Sequence, residues 1–391
     1  MIYLEKLYTE NFEDKVRLVC DIAKDNDAPQ TVWFEVSKEY GKYLCYERCD
    51  AFVIGLLRWA LIKGHDIKSD IPITDELYYN ITEYLLPSLQ KYDKGYKKIK
   101  LDMPLAPALK CEKSAVGTGL SCGVDSFHCI VSNRNTNIES LKLTHLCINN
   151  VVAFNGIYAN YGKEKVQKER YQYAEKAAKD IGLPLIETDS NIDIEFHQNH
   201  YISHTYTSVF AVYCLQKLWK TYFYGSAGYD FSHFSLKKSS EFASGHYELL
   251  SLQCFSISNL RIYSEGGAKN RFEKTKYIAD DELAQKHLHV CTSKPTNCGK
   301  CNKCMRTLTT LDAIGKLDNF KQVFDIEYYK NNKNRYYKYL IIEHLKKRDT
   351  YNEKTYQVLK CKFPFYLFII GYVEYKIKDL LKRTKKKNKS I

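Results

Sequence analysis

Leu120-Ser121-Cys122-Gly123-Val124-Asp125-Ser126-Phe127-His128 is the stretch whose reading decides the fold. The run before it, Ser114-Ala115-Val116-Gly117-Thr118-Gly119, is small and apolar, and Phe127, Ile130 and Val131 mark the apolar side of a short helix after it. Strand, tight turn and helix in that order aim the backbone N–H groups of the turn at whatever lies above the sheet. The helix N-terminus adds partial positive charge, so a phosphate is the natural occupant. Ser121 and Ser126 supply hydroxyls, and Gly123 admits a close backbone approach. Asp125 brings a carboxylate that can hold Mg²⁺ or fix the turn. No G-K-[ST] follows, so this is not a Walker A loop.

Outward from that turn, strands and helices alternate, the pattern of a parallel α/β sheet. Residues 143–148 read as the second strand, 163–180 as a helix ended by Gly182 and Pro184, and 185–188 as the third strand. A buried helix is expected over 207–220 and a fourth strand over 221–225, followed by a loop over 226–232. Ligands on such sheets bind beyond the carboxyl ends of the strands, where the strand order reverses. Residues 1–112 read as an N-terminal α+β domain. It has a strand over 31–36, a helix over 51–61 capped by Asp50, a helix from Asp75 closing near Pro87, and a strand over 97–101. A lid, a homodimer contact and a substrate-selecting domain are the roles open to it. Residues 113–320 read as the α/β domain that carries the turn, and 321–391 as a helical extension with a basic tail.

The second chemical signal is Cys291, Cys298, Cys301 and Cys304, spaced C-x6-C-x2-C-x2-C. Four thiolates in so short a span can close a tetrahedron around Zn²⁺, and a closed four-sulfur site is structural. An iron–sulfur cluster is the other occupant such ligands suit. Gly299 relaxes the turn between ligands, and Lys300 and Lys303 offset thiolate charge. The other ten cysteines are scattered and read as core residues, and His287 and His289 as bystanders.

Composition bounds the rest. The 391 residues are 45% hydrophobic, enough for a substantial core, and carry a net charge of +13, which favours nucleotides, nucleic acid or an anionic surface as partners. Much of that charge is local, since Lys382, Arg383, Lys385, Lys386, Lys387 and Lys389 fall in one short run. Fourteen cysteines with no secretory leader argue for reduced thiols and a cytoplasmic protein. No apolar run approaches the ~18 residues a membrane span needs. The apolar run 363–370 before the basic residues is read as a helix packed on the domain rather than a membrane contact. Tyr328, Tyr329, Tyr336, Tyr337 and Tyr339 among Lys and Asn could stack on bases, but read more simply as a helix surface.

The run from Ser121 to Ser126 resembles the S-G-G-x-D-S signature of the PP-loop ATP pyrophosphatases, with Cys122 in place of the first glycine. A phosphate turn followed, 170 positions on, by a C-x-x-C-x-x-C cluster resembles the 7-cyano-7-deazaguanine synthases of queuosine biosynthesis. The similarity runs from Ser114 to Phe320 and takes in residues 225–230, Glu273-Lys274-Thr275-Lys276 and Arg306.

The resemblance implies a parallel-sheet domain like the adenine nucleotide alpha hydrolases, taking ATP, Mg²⁺ and Zn²⁺. Ser121, Cys122, Gly123, Val124, Asp125 and Ser126 would hold the nucleotide. Asp125, Lys274 or Lys276, and Arg306 would act on its phosphates, and Cys291, Cys298, Cys301 and Cys304 would hold zinc. It further implies a ligase that adenylates a carboxylate or amide oxygen, releases pyrophosphate and lets a nitrogen nucleophile displace AMP. The acceptor would be a deazapurine-like small molecule or a macromolecule. Residues 1–112 and 321–391 have no counterpart in that family. Its Tyr-Pro-Asp-Cys segment has no equivalent after Asp230, where Phe231-Ser232-His233-Phe234 stands. The nucleotide chemistry therefore carries over better than the acceptor. An RNA-modifying PP-loop enzyme, or a subunit of a phage-defence or surface-polysaccharide system, fits the same residues.

Overall fold

The computed structural model describes residues 1–24, 28–149, 163–226, 230–291, 294–346 and 351–387. The chain forms two compact units, one of residues 1–121 and 129–267, the other of 122–128 and 268–391.

Among the described residues, the first unit contains every strand. In chain order these are β1 (Ile2–Phe12), β2 (Lys15–Lys24), β3 (Gln30–Ser37), β4 (Ile67–Ser69), β5 (Ile73–Thr74), β6 (Leu101–Asp102), β7 (Leu105–Ala106), β8 (Ala115–Gly119), β9 (His145–Asn149), β10 (Leu185–Ser190), β11 (Trp219–Gly225) and β12 (Arg261–Glu265). Ten of them make one sheet in the order β12-β11-β8-β9-β10-β3-β2-β1-β4-β6, and β5 pairs with β7 separately. The five strands from β8 onward are mutually parallel. From β8 the chain adds β9 and β10 on one side and β11 and β12 on the other, so β8 stands where the order reverses.

The sheet does not stop at the expected boundary near residue 112. β3 pairs antiparallel with β10, Val36 facing Thr188, so the N-terminal β1–β2–β3 meander continues the same sheet. The pairing covers an edge of β10 that would otherwise be exposed, and no local pattern encodes such a distant partner.

Two buried helices show how the first core packs. The helix Asp50–Lys63 is apolar on nearly every side and buried along most of its length. Its Phe52 ring meets Phe210 of the helix His200–Cys214, with centroids 5.4 Å apart. Asp50 is not its cap, contrary to expectation. Its carboxylate accepts from Thr74 N at 2.8 Å, Thr74 Oγ1 at 2.6 Å and Gln216 Nε2 at 3.0 Å. The helix from Asp75 does not close at Pro87 either. It passes through a π-helical stretch, Asn80–Leu85, and ends at Tyr92. The wider turn accommodates the proline, which lacks an N–H. The fourth strand starts at Trp219, and the helix before it ends at Cys214, earlier than expected. The strand expected over 97–101 is reduced to β6. Gly117 in β8 has a close-packing role: a Cβ there would come within 2.4 Å of the buried Trp219 ring.

The second unit is helical after its opening segment, as expected of the last third. Its helices include Arg271–Ile278, Asn302–Ala313, Lys333–Leu345, Glu353–Leu359 and Phe365–Lys387. Tyr329, Tyr336, Tyr337 and Tyr339 are buried rather than on a surface or available to bases. Three hydroxyls explain how: Tyr329 donates to Asp312, Tyr336 to the Gly299 carbonyl and Tyr339 to the Asn302 carbonyl. Among the described residues no helix is long and apolar enough to cross a membrane.

Candidate anion and metal site

The chain leaves β8 at its carboxyl end and enters the turn that opens the helix Val124–Asn133. Cys122 takes a left-handed backbone, φ 58°, with its side chain buried. That conformation costs an L-residue about 1–2 kcal/mol, whereas glycine adopts it freely. Position 122 thus keeps a glycine-like geometry although it carries a Cβ. Strain held at a turn of this kind points towards function. The Ser126 hydroxyl donates to the Gly123 carbonyl at 3.1 Å and so tightens the turn. Val124 is buried, and Ser121 is exposed at the end of the first unit.

Asp125, in the first turn of that helix, is engaged on both oxygens. Arg271 Nη2 donates to Oδ2 at 2.7 Å, and Lys274 Nζ to Oδ1 at 3.4 Å. Burial works to raise the pKa of the carboxyl. Arg271, Lys274 and Lys303 outweigh it and hold the carboxyl below its usual range. As placed, the carboxylate serves as the partner of two cations.

Arg271 and Lys274 share a face because they sit three apart on one helix. The chain starts that helix with a capping box. Asn270 Oδ1 accepts from Glu273 N, and Glu273 Oε2 accepts from Asn270 N, each at 3.1 Å. Glu273 is therefore occupied with capping, Lys274 is fully buried, and Lys276 lies on the exposed side.

The helix Asn302–Ala313 repeats the device with Lys303 and Arg306. Lys303 is open to solvent yet crowded by protein, and that crowding together with Arg271 and Arg306 pushes its pKa down to about 8. The Arg306 guanidinium stacks on Tyr351 at 4.3 Å, and Arg271 approaches the same ring at 5.7 Å. Among the described residues, neither Lys303 nor Arg306 has an ion pair or a side-chain hydrogen bond, and Arg306 Nε is buried without a partner. Three cations, Arg271, Lys274 and Lys303, thus act on one carboxylate, and Arg306 stands near enough to Lys303 to repel it. Guanidinium and ammonium groups gathered in this way can receive a polyanion.

The four expected cysteines come together. Every sulfur of Cys291, Cys298, Cys301 and Cys304 lies within 4.8 Å of the others, with Cys298–Cys304 at 4.0 Å and Cys291–Cys301 at 3.9 Å. Four sulfurs each about 2.3 Å from one ion stand about 3.8 Å apart in a tetrahedron. An iron–sulfur cluster interposes several atoms and would spread its ligands wider, so these separations suit a single ion such as zinc. Hydrogen bonding with Cys291 and Cys301, together with burial, drives the Cys304 thiol pKa up, so ionisation of the group calls for a cation.

The loop is shaped by groups the sequence did not flag. Asn297 Oδ1 accepts from the backbone N–H of Val290 and Cys291, while its Nδ2 donates to the Leu288 and Val323 carbonyls. Gly299 turns with φ 67°, as its expected role requires, and the N–H groups of Lys300 and Cys301 point at Cys298 Sγ. Lys300 Nζ lies over the Tyr328 ring. Lys303 joins the cation group instead of simply offsetting thiolate charge. His289, expected to be a bystander, donates its backbone N–H to the Cys122 carbonyl at 2.8 Å and so ties the metal loop to the turn. Of the other ten cysteines, Cys111 is half-buried, Cys361 is exposed and the rest are buried.

Asp125 and Lys274 are therefore brought together, and Arg306 joins them through the Tyr351 ring that Arg271 also approaches; sequence reading missed Arg271 and assigned Lys303 only to the thiolates. The signal for Arg271 was the Asn270-x-x-Glu273 box, which sets the helix phase. Part of the loop expected after the fourth strand, 227–229, lies outside the described residues. Asp230 accepts from Ser232 N and holds His233 Nδ1 at 3.0 Å. Comparison of the chain with protein-family models, with curated proteins and with solved structures finds no match.

Proposed function

We propose that this chain is an ATP-dependent ligase of the PP-loop type, similar to the 7-cyano-7-deazaguanine synthases, acting on an acceptor of its own. The observation that carries the proposal is the pair of cation-bearing helices converging on Asp125, in the turn that follows the strand at the order reversal.

In this reading the ATP phosphates rest on the turn from Ser121 to Ser126. An oxygen of the acceptor carboxylate or amide attacks the α-phosphorus. The bond from that phosphorus to the oxygen bridging to the β-phosphorus breaks, and pyrophosphate leaves with the electron pair. Arg271, Lys274, Lys303 and Arg306 meet the charge that develops on the leaving group, and Asp125 holds the first two in place as a positioning residue. A nitrogen nucleophile then adds to the activated carbon and AMP departs. Mg²⁺ would enter as the counter-ion of the nucleotide, and the lone pairs of Asp125 that Arg271 and Lys274 do not use could help to hold it. Zinc on the four cysteines would hold the helix that carries Lys303 and Arg306, a structural role.

Product analysis tests the proposal. Incubated with ATP, Mg²⁺ and acceptor, the protein should yield AMP and pyrophosphate in equal amounts; ADP with inorganic phosphate would overturn it. Pyrophosphate binding measured by calorimetry gives a check that needs no acceptor.

A further inference from the structure

The helix Phe365–Lys387 buries one side and leaves the other bare. Leu367 and Gly371 face the unit: Leu367 is buried, and a Cβ at Gly371 would lie 2.8 Å from Ile341 of the helix Lys333–Leu345. Lys338 pairs with Glu374 across the same contact at 2.8 Å. The opposite side carries Phe365, Ile369, Ile370, Val373, Ile377 and Leu380, from 46% exposed at Ile370 to 78% at Phe365. At 3.6 residues per turn these six cover an arc of about 140°. Lone exposed apolar residues need no explanation, but a contiguous row of this kind does.

We propose that this face lies on an anionic lipid surface, with the apolar arc sunk into the headgroup boundary. The proposal stands apart from the ligase reading and uses none of its residues. Three observations select lipid as the occupant. First, charge is complementary: the helix sequence holds Lys376, Lys378, Lys382, Arg383, Lys385, Lys386 and Lys387 against Glu374 and Asp379, and Glu374 is already paired with Lys338 and Lys378. Second, charge changes along the helix. Residues 365–373 contain none, and the basic residues follow. Two copies paired side by side would oppose basic ends if parallel, or lay basic ends on apolar ends if antiparallel. Third, the arc is too wide for a coiled-coil seam, which covers a narrower stripe and would leave Phe365 and Ile369 in water. The helix is not apolar enough to span a bilayer. It would lie in the plane of the surface, reversing the expectation that the 363–370 run simply packs on the domain.

The test is co-sedimentation of the full chain with vesicles of neutral phosphatidylcholine, and with vesicles in which roughly one lipid in three is anionic. The protein should pellet with the anionic vesicles, weaken as salt rises, and stay in solution with the neutral ones. Ile370→Glu combined with Leu380→Glu should reduce binding at least tenfold, on the order of the loss from unburying one such side chain, with an unchanged melting temperature because both positions are exposed. Replacing Lys376 by Gln should cost about fivefold. Failure of the unaltered protein to pellet with anionic vesicles overturns the proposal, whatever the variants do. So does equal binding to neutral vesicles, or a dimer in solution that the double substitution splits.

Discussion

Replacing Arg306 by Ala separates a cation kept for a ligand from one kept for the fold. Its guanidinium rests on the Tyr351 ring at 4.3 Å and has no carboxylate partner among the described residues. Its removal forfeits a cation–π contact worth about 0.5–1 kcal/mol. It also lifts repulsion from Lys303, whose pKa Arg306 helps to lower. The two effects oppose each other, so the unliganded protein should change by less than about 1 kcal/mol, or under ~3 °C in melting temperature. A bound pyrophosphate loses a charge-assisted contact worth about 1.5–3 kcal/mol, which weakens its binding on the order of 10- to 150-fold. Arg306→Lys keeps the charge without the forked geometry and should fall between. Calorimetric titration with pyrophosphate and a thermal melt on the same samples read both quantities. A melting temperature that falls by more than about 5 °C while pyrophosphate affinity holds would refute the argument and make Arg306 a structural residue.

Asp125→Ala removes the counter-charge of Lys274, whose side chain is 1% exposed, and should cost about 3 kcal/mol of stability as well as turnover; urea titration and AMP formation measure the two. Cys301→Ser should abolish stoichiometric zinc, read by elemental analysis, and lower stability by roughly 3–5 kcal/mol because metal binding is also folding energy. The fully buried His128 supplies a pH prediction. Burial, then Lys269 and Lys274, lower its pKa to about 4 from the ordinary 6.5. The folded state therefore keeps the ring neutral while the unfolded chain takes up a proton. Stability from this group is complete above pH 6.5 and is lost as pH falls from 6.5 towards 4. At pH 5 the loss is about 2 kcal/mol, and substituting Leu at position 128 should remove that part of the pH slope in urea titrations at pH 7 and 5.

What could be read in the chain was what depends on neighbours in sequence. The run before Ser121, the alternation after it and the Gly182 stop each rest on a local pattern, and β8, β9, β10 and the helix Lys163–Ile181 follow them closely. The cysteine spacing is equally local, and the sulfurs meet as expected. Long-range pairing was not legible. Nothing within 30–37 announces that β3 will extend β10, more than 140 residues away, because an edge strand offers the same N–H and C=O groups to any partner. The tyrosines of residues 328–339 misled for a related reason. Interleaved Lys and Asn suggest a wet surface, but the helical fold of this segment turns Tyr329, Tyr336 and Tyr339 inward, where their hydroxyls find carbonyl and carboxylate acceptors.

The cation site lies between these cases, and its lesson concerns phase. Lys274 and Arg306 were found through resemblance, whereas Arg271 went unnoticed and Lys303 was assigned only to the thiolates, yet each of these two stands three positions before a found one. On a helix that spacing means a shared face. The faces are fixed by features visible in the sequence: the Asn270-x-x-Glu273 box for one helix, and for the other the cysteine loop whose last ligand, Cys304, lies within the first turn. A metal that fixes Cys301 and Cys304 also fixes the direction of Lys303 and Arg306, and through Cys291 and the His289 N–H it reaches the Cys122 carbonyl. The cysteine loop and the turn at Cys122 are therefore one construction. Stripping the metal should weaken pyrophosphate binding even though the four metal-site cysteines are not assigned to the anion; a chelated protein that still folds and binds pyrophosphate as before would show the two to be independent.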